Sequence, residues 1–120
     1  MRLAVALGGT DAGQSGIGIY MRAVLPRLAE RTRSRGGVVV ALGTRGDIDA
    51  YDAALTGCDR VVAGNRFEAP LSSALWHLVA AGDAAKDARA DVLLLPAANR
   101  RTALRSPIPT VAIVHDLAQL

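Results

Sequence analysis

Aromatic side chains are almost missing from this chain: one Trp, two Tyr and one Phe make up 3% of 120 residues. The core must therefore be built from Ala, Val, Leu and Ile. No stripe of aromatics interleaved with basic residues is available to stack single-stranded nucleic acid, so a nucleic-acid partner is not expected. Lysine is scarce as well, since thirteen of the fourteen basic residues are Arg. There is a single cysteine, Cys58, so no intrachain disulfide can form. It reads as a small, half-buried hydrophobe. Long apolar runs are lacking; runs such as residues 92–95 and 111–114, and the slightly longer 3–7 and 38–42, are far too short to cross a membrane. Residues 1–15 lack the charged start, apolar centre and cleavage site of a signal peptide, which makes a cytoplasmic location the expectation. No Cys/His cluster has metal-ligand spacing, and no G-x-S-x-G elbow is present.

What is there suits one globular domain. Apolar residues make up 51%, too many for a disordered chain. A chain of this length can bury roughly 65% of its unfolded surface. The net charge is +3, and the arginines are scattered rather than blocked. An Arg-rich surface of this kind can attract phosphates or acidic lipid headgroups, which allows a peripheral membrane contact.

Apolar runs alternate with helical patterns, the signature of an α/β domain with a mainly parallel sheet. Strands are expected at residues 2–7, 38–42, 59–63, 91–95 and 110–114. A helix is expected from Ile17 to about Arg35, with Ile17, Met21, Val24 and Leu28 in helical spacing. Pro26 should kink or divide it, and Gly36-Gly37 should stop it. Residues 43–46 read as a turn and 48–55 as a short helix. A further helix, capped by Ser72 or Ser73, should run to about Ala88 with Leu75, Leu78 and Val79 inward.

Two segments carry candidate chemistry. The glycine-rich stretch of residues 8–18 joins the first strand to the first helix. A helix start presents unpaired N–H groups that stabilise a phosphate, and glycine lets a ligand approach the backbone. The spacing Gly13-x-x-Gly16-x-Gly18 is neither the dinucleotide fingerprint nor a P-loop, and an ordinary turn with a helix start fits it equally well. Gly18 also fits a role in close helix–sheet packing. The second segment is His115-Asp116, just past the last strand. An imidazole at that edge can donate a hydrogen bond, accept a proton or hold a hydroxyl; it can also be purely structural. His77, beside Trp76 in a helical pattern, reads as structural or surface.

Three segments resemble the N-terminal half of GT-B, family-4-type glycosyltransferases. Residues 1–7 leading to Gly16-Ile17-Gly18-Ile19-Tyr20-Met21-Arg22 are similar to the family's first strand, glycine loop and helix start. Asp91-Val92-Leu93-Leu94-Leu95-Pro96, with Asn99, is similar to its strand-and-loop segment. Pro109-Thr110-Val111-Ala112-Ile113-Val114-His115-Asp116-Leu117 is similar to its His-Asp segment. Their order covers nearly all of the chain.

The resemblance implies a Rossmann-like domain, residues 1–120, forming the acceptor side of a two-domain enzyme. Such an enzyme transfers a sugar from a nucleotide-sugar donor to a glycosyl acceptor with retention of configuration and needs no metal. Gly16, Ile17 and Gly18 carry over as the diphosphate loop and His115 as the histidine near the transferred sugar. Asn99, Arg100 and Asp116 carry over to the acceptor side. The chain departs from the pattern in lacking the C-terminal donor-binding domain, so on its own it is expected to be an inactive fragment. An unfinished sheet would expose apolar surface and favour self-association. A rival reading is a non-catalytic, Rossmann-like nucleotide-, phosphate- or assembly-binding module. A dinucleotide dehydrogenase is disfavoured, because Gly43-Thr44-Arg45 stands where an acidic residue would follow the second strand.

Overall fold

The structure is a computed structural model and describes residues 1–10, 14, 16–64, 69–98, 101, 103 and 106–113. Its elements follow in the order β1 (Arg2–Ala6), α1 (Gly16–Ser34), β2 (Val38–Thr44), α2 (Arg45–Ala50), β3 (Asp59–Ala63), α3 (Pro70–Val79), α4 (Ala81–Asp87), β4 (Val92–Leu95) and β5 (Thr110–Ala112). A 3-10 turn, Asp52–Leu55, joins α2 to β3. The five strands form one sheet in the order β3-β2-β1-β4-β5, and every pairing is parallel. This is a Rossmann-like α/β arrangement. No described helix is long and apolar enough to cross a membrane.

The two faces of the sheet are built from side chains of different size. Leu3, Val5 and Leu7 point to one face, where they meet Met21, Leu25 and Ala29 of α1 and Ile48, Tyr51 and Leu55 from the segment after β2. Ala4 and Ala6 point to the other, where they join Val40, Leu42, Leu93 and Leu95 under Ala81 and Ala85 of α4. Strand alternation sends neighbouring residues to opposite faces. The register Leu3↔Val39 and Ala4↔Val40 keeps each set on its own side.

α1 runs unbroken from Gly16 to Ser34, so the expected division at Pro26 does not occur. Pro26 lies on the exposed side of the helix. The carbonyl that its missing N–H would have paired, that of the exposed Arg22, is on the solvent side too, where water can satisfy it. Just past the helix end stands Gly36, whose φ of +79° is the left-handed conformation that favours glycine. The expected turn at residues 43–46 is also replaced. Gly43 and Thr44 extend β2, and Thr44 opens α2 in a capping box with Asp47.

The second helical stretch departs most from expectation. It breaks at Ala80 into α3 and α4, and α3 starts at Pro70, a residue suited to a first helical turn because no donor is lost there. Leu75 and Val79, expected inside, are 52% and 56% exposed. The buried stripe is instead Ser73, His77, Ala81 and Ala85. The helical period is right and its phase is wrong. Over Ala4 and Ala6 the covering helix α4 packs through the small residues Ala81 and Ala85. Ala85→Leu should therefore destabilise the chain by about 1–3 kcal/mol through overpacking, whereas Leu75→Gln should change stability by less than about 0.5 kcal/mol. Urea unfolding of the two variants checks this; a large loss for Leu75→Gln would reverse the assignment of faces.

Candidate functional site

In an open parallel sheet, ligands bind at the carboxyl edge where the strand order reverses. Here the chain steps from β1 out to β3, then crosses the alanine-lined face through α3 and α4 to reach β4 on the other side of β1. The reversal therefore falls between β1 and β4.

Beyond β1, Leu7 continues the ladder by donating its N–H to the Leu42 carbonyl at 2.8 Å. Thr10 then folds back and its hydroxyl donates to the Leu7 carbonyl at 2.6 Å. Tyr51, completely buried, reaches up from the segment after β2 to bond the Thr10 hydroxyl at 2.7 Å. The Arg22 guanidinium stands 5.5 Å above the Tyr51 ring, within cation–π range. The exit of β1 is thus pinned by one of the two tyrosines of a chain otherwise poor in aromatics.

Gly16 opens α1 on the exposed side, Ile17 is half-buried against the α1-side core, and Gly18 is buried at the first turn. The helix start expected to face a phosphate is therefore present, with Gly18 available for close packing. His115, Asp116, Asn99 and Arg100 lie outside the described residues. The approaches to them are described. Ile113 donates its N–H to the Leu95 carbonyl and accepts from the Ala98 N–H, so β5 leaves the sheet at the same carboxyl edge, beside the exit of β4.

One residue read from sequence as structural or surface has a larger place at this edge. His77 is 3% exposed. Its Nδ1 lies 2.7 Å from the Ser73 carbonyl oxygen. A carbonyl can only accept, so Nδ1 carries the proton and Nε2 presents a lone pair. That Nε2 is buried and has no hydrogen-bond partner among the described residues. The ring lies directly on the backbone of Gly8. A methyl group there would collide with His77 Cε1 and stand 2.8 Å from Nε2, so the close approach requires glycine. Ser73 also accepts a 2.9 Å hydrogen bond on its hydroxyl from Arg101 Nε, which links α3 to the segment after β4. A space of about 10 Å³ separates His77 from Gly43, Thr44 and Asp47, enough for about one water molecule.

Burial pushes the His77 pKa below its ordinary 6.5; its bond to Ser73 and the nearby Asp47 oppose the shift, and Arg101 adds to it. The imidazole is neutral at pH 7 and brings no charge to the edge. The phase error of α3 concealed its burial, because a histidine four residues after Ser73 is inward only if Ser73 is. Cys58 is half-buried as expected, and burial pushes its thiol up, against the pull of Arg60 and Arg33, so it is no ready nucleophile. Among the described residues no group of three or more His, Cys, Asp or Glu is placed to hold a metal ion.

Two outcomes follow from this packing. Gly8→Ala should cost about 1–3 kcal/mol by overpacking, and His77→Ala in the same chain should recover part of the loss. A double-mutant cycle measures the coupling, and additive costs would remove the contact. Secondly, unfolding frees His77 to take a proton that the native state resists. Its contribution to stability is present above the ordinary histidine pKa and is lost as pH falls below it. Stability measured from pH 7.5 down to 5.5 should therefore decline more steeply in the parent than in His77→Gln; parallel curves would show that His77 does not titrate on unfolding.

No protein-family model, no curated protein and no solved structure matches this chain, so its functional reading rests on its own residues.

Proposed function

We propose that this chain is the acceptor-side, N-terminal domain of a retaining, nucleotide-sugar-dependent glycosyltransferase of the GT-B type, working in the cytoplasm with a second, donor-binding domain. The observation that carries the reading is the strand order β3-β2-β1-β4-β5, all parallel, with α1 starting just beyond β1 at Gly16–Gly18. The order of the three sequence segments then acquires a spatial meaning. The first leads to the helix start, and the other two run along β4 and β5 to the same carboxyl edge.

In this reading the N–H groups at the start of α1 approach the donor diphosphate. His115, two residues past Ile113 in the chain, holds the sugar being transferred, and Asn99, Arg100 and Asp116 contact the acceptor. The neutral His77 supports the Gly8 backbone behind the loop and takes no part in bond making. Stabilisation of the leaving diphosphate is the main electrostatic demand of such a reaction, and the donor-binding domain supplies the rest of it. No metal enters the reading.

In the complete gene product, His115→Ala should lower turnover of nucleotide sugar by at least about a hundredfold while leaving the melting temperature unchanged. Unchanged turnover would take His115 out of the reaction. The isolated chain, holding half of a site, should bind nucleotides only in the millimolar range. Calorimetry giving micromolar affinity would favour the rival reading of a stand-alone nucleotide-binding module.

A further inference from the structure

At the amino-terminal edge of the sheet, opposite Gly8 and His77, lies a cavity of about 390 Å³ between the start of β1 and the end of α1. Its walls are Met1, Leu3, Leu28, Thr32 and Gly37, and Arg31 and Arg35 stand at it as well. The surface inside is almost wholly apolar. Thr32, the one neutral polar side chain in the wall, donates its hydroxyl to the Leu28 carbonyl at 2.7 Å and has no proton left to offer. Gly37 is packed so closely under Met1 that a Cβ there would collide with the Met1 carbonyl oxygen. The volume lies within the range of small-molecule pockets.

The two charged side chains in the lining of this cavity are both cationic. Arg31 and Arg35 are exposed, and neither guanidinium has a carboxylate partner among the described residues. Two carboxylates on the same edge are already engaged: Asp59 pairs with the Arg2 guanidinium at 3.2 Å, and Asp91 accepts from the Arg2 N–H at 2.8 Å. The end of α1 opposes an anion with a partial charge of about −0.5. Two full positive charges outweigh it. The last carbonyls of the helix are moreover occupied, since Thr32 accepts from the Arg35 and Gly37 N–H groups and Arg33 from that of Gly36.

An apolar hollow with paired cations at its mouth suits neither a bare phosphate, which gains nothing from the walls, nor a neutral oil, which gains nothing from the arginines. We propose that this cavity binds a free, single-chain amphiphile with an anionic head, its alkyl chain against Leu3 and Leu28 and its carboxylate between Arg31 and Arg35. The site is independent of the glycosyltransferase reading and lies at the other edge of the sheet.

Titration of the full chain with decanoate below its micellar concentration, followed by amide NMR, tests this. Saturable one-to-one shifts centred on Leu28, Thr32 and Gly37 are expected. Inorganic phosphate and decyltrimethylammonium should bind at least about tenfold more weakly, because each lacks one of the two matched features. The double variant Arg31→Gln/Arg35→Gln should lose about tenfold in decanoate affinity at an unchanged melting temperature, and each single variant should lose less. The proposal is overturned by equal binding of the ammonium amphiphile, by full affinity in the double variant, or by shifts centred on the Gly8 edge. Binding to anionic vesicles without binding of the monomer would overturn it too. A nucleotide titration reports on the opposite edge, so the two readings fail separately.

Discussion

Everything in this fold is referred to β1. It is paired on both sides, with β2 and β4, and covered on both faces, and residues 4–7 are buried. Large residues alternate with small ones along it: Leu3, Val5 and Leu7 one way, Ala4 and Ala6 the other. A core so short of aromatics achieves interior density by matching these sizes. The α1 side sets Leu and Val against Met21 and Leu25. The α4 side sets alanine against alanine and lets the helix lie close. On that same side α3 turns Ser73 and His77 inward, and His77 rests on Gly8.

Much of the fold was legible because its signals are local. Runs such as Val38-Val39-Val40-Ala41-Leu42 announce a strand buried on both faces, and Gly36 marks the end of α1 by a conformation other residues avoid. Phase was less legible than period. In α3 the larger apolar residues Leu75 and Val79 look like an inner face, yet they are exposed, and the helix packs inward through Ser73, Trp76 and His77. Pro26 does not divide α1, since its cost depends on which side of the helix it occupies.

The candidate site divides in the same way. The position of a glycine loop after the first strand follows from the order of elements, and so does the exit of β5 at the same edge. His77 does not, since its role rests on three segments meeting: the exit of β1, the inner side of α3, and Arg101 after β4. No spacing within one segment records such a meeting. The cavity beside Arg31 and Arg35 is equally non-local, because Leu3 and Leu28 belong to different elements. In sequence those arginines are two of a scattered set.

The pairing of β1 with β4 has a consequence for how the chain is made. Arg2 and Asp91, bonded across the two strands, are 89 positions apart. During synthesis β1, β2 and β3 can assemble early, but one side of β1 has no neighbour until residues 92–95 have been translated. Until then the central strand of the finished sheet is an edge, open to pairing with another chain. The order of translation, rather than the stability of the completed sheet, sets the interval in which this protein is most exposed to aggregation.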